Sequence, residues 1–363
     1  MKRSLDNTVT SPSIAITGGG SAGHVLPAIA VAQALTAAGA VVEFYGRPNS
    51  IEEKLVRQAG LCFQEVPASG LRRYRSIKNL MMPLILCYGV AVAVRRLAAQ
   101  KPRVLFSKGS FASVPVALAA SLLRIPIVVH ESDHSLGLAN RIVGQLASTI
   151  LLSFGDTTVP TCMREKSRVV GELVRPDLAD GEAEKFRAAH GLRRDHPVLL
   201  VYGGSSGAQR INCAIRKALE DILPLATVVH VVGHGNLDGS LHSMDGYFQF
   251  EFLAEDMVDA LWLADVVVSR AGANTVAELG AIEKQAILIP LPLTVSRGDQ
   301  FVNAQHFVEH HNGEIVYDED LQTVLRDRLI YRLENLPTTE PTEGGLKYVR
   351  DGRSGIAEIL LSY

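Results

Sequence analysis

Ile14-Ala15-Ile16-Thr17-Gly18-Gly19-Gly20-Ser21-Ala22-Gly23-His24 is an apolar strand running into a glycine-rich turn and the start of an alanine-rich helix. The pattern returns at Val198-Leu199-Leu200-Val201-Tyr202-Gly203-Gly204-Ser205-Ser206-Gly207-Ala208. Such an element presents backbone N–H groups and the positive end of a helix to an anion. Glycine is needed because the chain must turn tightly and let the anion approach its backbone. Two copies, one opening each half, predict two doubly wound domains with a cleft between them, each half offering an anion site.

Length and composition agree. A chain of 363 residues is long for one core and sufficient for two. Hydrophobic residues make up 47% and aromatics only 6%, so the core should be Ala, Val, Leu and Ile, as in helix-covered parallel sheets. The formal net charge of −2 gives no reason to expect nucleic acid as a partner. Cys62, Cys87, Cys162 and Cys213 lack any C-x-x-C spacing and read as reduced, structural thiols of a cytosolic protein. No apolar run near the N-terminus is long enough for an export signal.

Strands alternate with helical periods throughout. The first half offers strands near 14–17, 41–45, 63–66, 104–107, 127–130 and 150–153. The second offers 198–202, 228–232, 248–252, 266–269, 286–289 and 314–317. Intervening segments such as 26–38 and 212–223 are Ala/Leu-rich and helical in period, which implies right-handed crossovers. The boundary is expected at Gly171-Glu172-Leu173-Val174-Arg175-Pro176, giving a first domain over 1–174 and a second over 175–345. A break at 337–345 leaves a last helix near 347–361, so the tail 346–363 is expected to cross back onto the first domain.

Residues 79–94 carry no charge and are bracketed by Arg72, Arg73, Arg75 and Lys78 before and Arg95, Arg96, Lys101 and Arg103 after. The stretch is shorter than the about 20 residues a bilayer requires. It reads either as a buried crossover helix or as an interfacial patch whose flanking bases hold anionic headgroups.

Several residues carry chemistry. Gly18-x-Gly20-x-x-Gly23 matches a dinucleotide fingerprint, but Glu43, the one acid in the second strand, sits inside the strand instead of at its end, which argues against a nicotinamide cofactor. His24, directly behind the loop, is placed for general-base work or phosphate contact. After the strand 266–269, Thr275 and Glu278 have capping-box spacing on a helix expected to begin near Thr275. Glu278 equally suits a carboxylate that accepts both hydroxyls of a ribose. Gln300, beyond another strand end, both donates and accepts, as a sugar hydroxyl requires. Asp318-Glu319-Asp320, the sole D-x-D, reads as a helix N-cap, and no metal site is evident.

Together these blocks resemble the MurG family of bacterial peptidoglycan glycosyltransferases over nearly the whole chain. The blocks are Gly19-Gly20-Ser21-Ala22-Gly23-His24-Val25-Leu26-Pro27-Ala28, and His130-Glu131-Ser132-Asp133 with Gly137-Leu138-Ala139-Asn140. They continue with Gly203-Gly204-Ser205-Ser206-Gly207-Ala208-Gln209, Arg270-Ala271-Gly272-Ala273 with Glu278, and Gln300 with Asn303-Ala304. The resemblance implies a GT-B fold, with two Rossmann-like doubly wound parallel-sheet domains facing across a cleft. It implies inverting transfer of N-acetylglucosamine from UDP-N-acetylglucosamine to lipid I, the undecaprenyl-pyrophosphoryl-muramoyl-pentapeptide, giving lipid II, with neither metal nor cofactor. It further implies a peripheral protein at the cytoplasmic face of the cell membrane, and this favours the interfacial reading of 79–94 on an anionic membrane surface.

By resemblance, donor contacts fall on Ser21, Ala22, Gly23, Asp133, Arg175 and Ser205, and on the backbone near Leu253. They continue at Ala273, Asn274, Thr275, Val276, Ala277 and Glu278, with Gln300 at the sugar. The acceptor pyrophosphate is expected on Gly18, Gly19, Gly20, Lys108, Gly109 and Ser110, and the base is expected to be His24 with Glu131 behind it. The family more often has Asn where Asp133 stands, and an ionised carboxylate cannot donate the amide's hydrogen bond. A glycosyltransferase acting on another lipid or aglycone, and a UDP-N-acetylglucosamine epimerase, are the alternatives; only the acceptor half distinguishes the former.

Overall fold

The computed structural model describes residues 11–69, 82–204, 207–253, 256–296, 298–336 and 352–363, apart from the side chains of Ala22 and Pro176. Ser205, Ala254, Arg72, Arg73, Arg75 and Lys78 lie outside them. The chain divides into two compact units, Met1–Leu173 with Arg350–Tyr363, and Val174–Val349.

The first unit alternates β1 (Ser13–Thr17), α1 (Ala22–Ala37), β2 (Val41–Gly46), α2 (Ile51–Gln58) and β3 (Cys62–Glu65). It continues with α3 (Met82–Gln100), β4 (Val104–Ser107), α4 (Val114–Leu122), β5 (Ile127–Glu131), α5 (Leu138–Leu146), β6 (Thr149–Leu152) and β7 (Ser167–Val169). Its sheet is parallel, in the order β3-β2-β1-β4-β5-β6-β7.

The second unit comprises α6 (Ala183–His190), β8 (Val198–Tyr202), α7 (Gln209–Ile222), β9 (Thr227–Val231), β10 (Tyr247–Phe250) and α8 (Met257–Leu263). Then come β11 (Val266–Ser269), α9 (Ala273–Ala281), β12 (Gln285–Leu288), α10 (Asp299–His310), β13 (Gly313–Ile315) and α11 (Leu325–Glu334). Its six strands are again parallel, in the order β10-β9-β8-β11-β12-β13. The last helix, α12 (Gly352–Leu361), belongs to the first unit: Ile356, Ala357 and Leu360 are buried in one cluster with Val25, Val31 and Leu35 of α1.

Strands form where β-branched runs are covered on both faces; β4, β5, β8 and β11 are buried at every position. The order of each sheet reverses once, between β1 and β4 and between β8 and β11, and ligands of doubly wound sheets bind beyond the carboxyl ends at such a point. Both glycine loops leave the sheet there. Helix α1 starts at Ala22, four residues before the expected start, because Ser21 is the last extended residue (φ −153°, ψ 158°). Three-residue β7 is too short to show a period and escapes the sequence reading.

Helix α3 contains residues 82–94 of the uncharged stretch. Gly89, Ala93 and Leu97 face inward, while Leu84 and Tyr88 are 70% and 63% exposed and only 17% of its most apolar part is buried. The helix is therefore a crossover covered on one face only. The helix extends beyond the apolar stretch to Gln100 and is long and apolar enough to cross a membrane, but its inner face is occupied by the core of this unit.

Close packing of α3 rests on Gly89, where a Cβ would lie 2.1 Å from the Pro67 carbonyl oxygen. Gly89→Ala should lower stability by about 1–3 kcal/mol through overpacking. In α12, Gly355 has nothing within 4 Å of its Cβ position. Gly355→Ala should raise stability by about 0.5–1 kcal/mol from helix propensity alone. Urea denaturation of both variants checks the pair.

Candidate functional site

In the first unit the glycine loop is propped by a residue that the sequence reading missed. Glu52, near the start of α2, has a fully buried side chain. Its Oε2 accepts from the Gly20 N–H at 3.3 Å, and Arg47 donates Nε to Oε1 at 2.7 Å and Nη2 to Oε2 at 3.3 Å. These donors hold the Glu52 carboxyl below its ordinary range against the opposing effect of burial. Gly20 sits at φ +85°, a left-handed conformation that glycine adopts without strain. Ser21 makes no side-chain cap, and the amides of His24 and Val25 both donate to the Ser21 carbonyl at 3.2 Å. His24 is thus the third residue of α1, directly behind the loop.

The neighbouring strand ends complete this group. Lys108 follows β4, its backbone N–H donating to the Thr17 carbonyl at 2.8 Å, which places it beside Gly18. Its side chain is buried, with Nζ donating to Ser132 Oγ at 2.7 Å. Burial lowers the Lys108 ammonium, and the charges of Glu131 and Asp133 act to raise it. His130 is held well below its ordinary value, first by burial and then by the charges of Lys108 and His24, so it is neutral.

Glu131 ends β5 with both carboxylate oxygens engaged. Oε1 accepts from the amides of Ser132 and Asp133 at 3.0 and 3.2 Å. Oε2 accepts from the Gly137 amide at 2.9 Å and Asn140 Nδ2 at 3.0 Å. Glu131 therefore braces the loop that carries Ser132 and Asp133. Gly109 (φ +100°) and Ser110 (φ +77°) bend the chain after Lys108, and Ser110 Oγ accepts from the Ala112 amide at 3.2 Å.

In the second unit the capping-box reading fails. Helix α9 begins at Ala273 with Gly272 as N-cap and no side chain capping it, so Glu278 lies in the second turn, beyond the reach of a cap. Instead, Glu278 shares its surroundings with Arg175, Asp177 and Tyr202. Burial pushes its carboxyl up to about 7, with the Arg175 guanidinium acting to lower it and Asp177 to raise it. Tyr202, the last residue of β8, is a buried phenol raised by burial and by the Glu278 charge, with the hydroxyls of Ser269 and Thr275 acting to lower it. Arg175 directs its fork at Asp177, Nε to Oδ1 at 2.9 Å and Nη2 to Oδ2 at 3.2 Å.

Gln300, second residue of α10, accepts from the Leu291 amide through Oε1 at 3.1 Å. Asn303 Nδ2 donates to the Ala271 carbonyl at 3.1 Å, tying α10 to the loop before α9. Leu253 is buried, in the hydrophobic cluster against which Phe248 and Phe250 pack.

Asp318 does not cap a helix; it opens a short 3-10 turn whose N-cap is Tyr317. Its buried carboxylate pairs with two arginines: Arg210 Nε at 2.8 Å and Arg270 Nη1 at 2.6 Å. Among the described residues no group of three His, Cys, Asp or Glu side chains is arranged to hold a metal ion. The Gly20 donor to Glu52 and the arginines paired with Asp318 come from distant segments, and the local signal was the five-residue spacing of Arg47 and Glu52.

Residues 14–152 match the glycosyltransferase family 28 N-terminal domain and residues 198–343 its C-terminal domain. The UDP-N-acetylglucosamine--N-acetylmuramyl-(pentapeptide) pyrophosphoryl-undecaprenol N-acetylglucosamine transferase of Clostridium perfringens is 40% identical over 88% of this chain and 90% of its own. The enzyme of the same name from Lachnospira eligens is 40% identical over 89% and 90%. The crystal structure of Acinetobacter baumannii MurG superposes with a TM-score of 0.71 at 21% identity, covering 97% of this chain and 100% of that one. The UDP-GlcNAc 2-epimerase of Methanocaldococcus jannaschii superposes at 0.64 with 15% identity over 97% and 100%, a likeness of fold alone. The chain is a GT-B protein of glycosyltransferase family 28 and belongs to the MurG family.

Proposed function

We propose that this chain transfers N-acetylglucosamine from UDP-N-acetylglucosamine to the muramoyl 4-hydroxyl of undecaprenyl-linked lipid I, forming lipid II for peptidoglycan synthesis. The observation that carries the reading is the activity for which its near-full-length clostridial relative is named. The epimerase alternative has only the fold in its favour.

In this reading Met1–Leu173 takes the lipid acceptor and Val174–Val349 takes the sugar nucleotide. The acceptor hydroxyl oxygen attacks the anomeric carbon and its proton passes to His24. The bond from that carbon to the diphosphate oxygen breaks, its electron pair leaving with UDP, so the anomeric configuration inverts. Leaving-group charge falls on the amides of the 203–208 loop, the start of α9 and Arg175, whose fork exchanges Asp177 for phosphate. Fixed dipoles of this kind are worth about 3 kcal/mol each. Lys108 meets the acceptor pyrophosphate, and Glu131 acts by holding the loop of Ser132 and Asp133. Glu278 accepts from the ribose diol, and the Gln300 amide donates to the sugar.

The raised Glu278 carboxyl gives this assignment a pH signature. The carboxylate accepts strongly from both diol hydroxyls whereas the acid accepts only weakly, so UDP binding should expel a proton and tighten as pH rises through about 7. Calorimetry in buffers of different ionisation heat should show that release in the wild type and lose it in Glu278→Gln. Loss of a charge-assisted bond should also weaken UDP about tenfold. Gln300→Ala should spare UDP but blur the choice between gluco and galacto donors. UDP binding to Glu278→Gln at wild-type strength would show the ribose role to be wrong. In the unliganded protein the sign is opposite: folding favours the protonated acid. Wild-type stability should therefore fall between about pH 4.5 and 7, a fall that Glu278→Gln lacks.

The exposed face of α3 supports docking at the membrane, where a lipid-linked acceptor resides. Leu84 and Tyr88 supply the apolar contact, and the nearby bases supply attraction to anionic headgroups. A Leu84→Asp, Tyr88→Asp variant should lose binding to anionic vesicles yet keep its turnover on a water-soluble short-chain acceptor. Salt should weaken wild-type vesicle binding. Equal vesicle binding by both proteins would remove α3 from the interface.

A further inference from the structure

We propose that Asp318 is a positioning residue for the donor, locking three ligand-bearing segments of the second unit into one frame. The inference rests on the reading of this unit as the UDP-N-acetylglucosamine-binding half.

Asp318 lies just after β13 with a side chain only 3% exposed. Its Oδ2 is 2.8 Å from Arg210 Nε, and its backbone carbonyl accepts from Arg210 Nη2 at 2.6 Å. Arg210 is the second residue of α7, the helix into which the 203–208 glycine loop leads. Asp318 Oδ1 is 2.6 Å from Arg270 Nη1. Arg270 directly follows β11 and stands two residues before the Gly272 cap of α9, which carries Glu278. The same Nη1 donates to the Ile289 carbonyl at 3.2 Å and reaches that of Pro290 at 3.5 Å. The next residue, Leu291, is the one whose amide Gln300 accepts.

One carboxylate thus connects the diphosphate loop, the nucleoside helix and the sugar loop through contacts that touch no ligand. Without its charge, Arg270 (12% exposed) and Arg210 would face one another with no anion between them, and each segment would relax separately. Displacements of about 1 Å between binding elements are enough to cost up to about a hundredfold.

Calorimetry with UDP, and steady-state kinetics with UDP-N-acetylglucosamine and a short-chain lipid I analogue, test this on the full chain. Asp318→Asn keeps the shape and removes the charge. Its Kd for UDP and KM for the sugar nucleotide should rise together by about tenfold. The acceptor KM and the turnover at saturating donor should stay within about twofold of wild type. Asp318→Glu should recover part of the loss, and Arg210→Gln, which frees α7 alone, should show a smaller one.

Wild-type UDP affinity in folded Asp318→Asn overturns the proposal. So does an equal decline in donor and acceptor parameters, which would mark a general structural role. If Asp318→Asn does not fold, unchanged UDP affinity in Arg210→Gln overturns it instead. Glu278→Gln separates the two levels. If it weakens UDP while Asp318→Asn does not, only the positioning role fails; if neither weakens UDP, the reading of the donor site fails as well.

Discussion

A parallel strand buried on both faces can meet a ligand only at its end. Its side chains are consumed by the covering helices and its amides by neighbouring strands, so free N–H groups appear where the chain leaves the sheet. Four residues of the candidate site follow this constraint directly. Lys108 is the first residue after β4, Glu131 the last of β5, Tyr202 the last of β8 and Arg270 the first after β11. The aliphatic composition is the other face of the same fact: strands without a polar side have little room for aromatic rings or charge.

Loops at strand ends need to be held, and here buried carboxylates hold them. Glu52, Glu131 and Asp318 are each nearly inaccessible; Glu52 and Glu131 each accept from several amide, guanidinium or side-chain amide donors, and Asp318 is ion-paired with two guanidinium groups. A buried charge is tolerable only with such partners. Glu52 carries a further consequence. It occupies the Gly20 amide, in a loop where glycine spacing alone suggests amides reserved for an incoming anion. The first glycine loop therefore holds a negative charge of its own, neutralised by Arg47, and its remaining donors have a more limited task than the sequence motif implies.

What the sequence disclosed was whatever has a period or a motif. Apolar runs located twelve of the thirteen strands among the described residues, since β4, β8 and β11 are uninterrupted Val/Leu/Phe segments closed by a hydroxyl residue. Helix starts were read late because small residues at Ala22 and Ala273 look like loop until the backbone is seen. That shift alone removes the capping reading of Glu278. Braces stayed hidden because their partners are remote: Gly20 and Glu52 are 32 positions apart, Arg210 and Asp318 108. Composition was equally silent on α3, because a fully buried helix and one covered on a single face contain the same residues.

The charge economy of the chain bears on how two anionic substrates are selected. A formal net charge of −2 provides no long-range attraction for a diphosphate, so attraction must be local. Yet the cations near the strand ends already have internal anions: Arg175 has Asp177, Arg270 has Asp318, and Lys108 lies within the influence of Glu131 and Asp133. An arriving phosphate exchanges one ion pair for another and gains little from charge alone. The surplus must come from groups that read the remainder of the ligand, which under the proposed assignment are the Glu278 carboxylate and the Gln300 amide of the second unit. A site with paired cations therefore discriminates against inorganic phosphate and simple polyanions, and favours a ligand that supplies diol, base and sugar together.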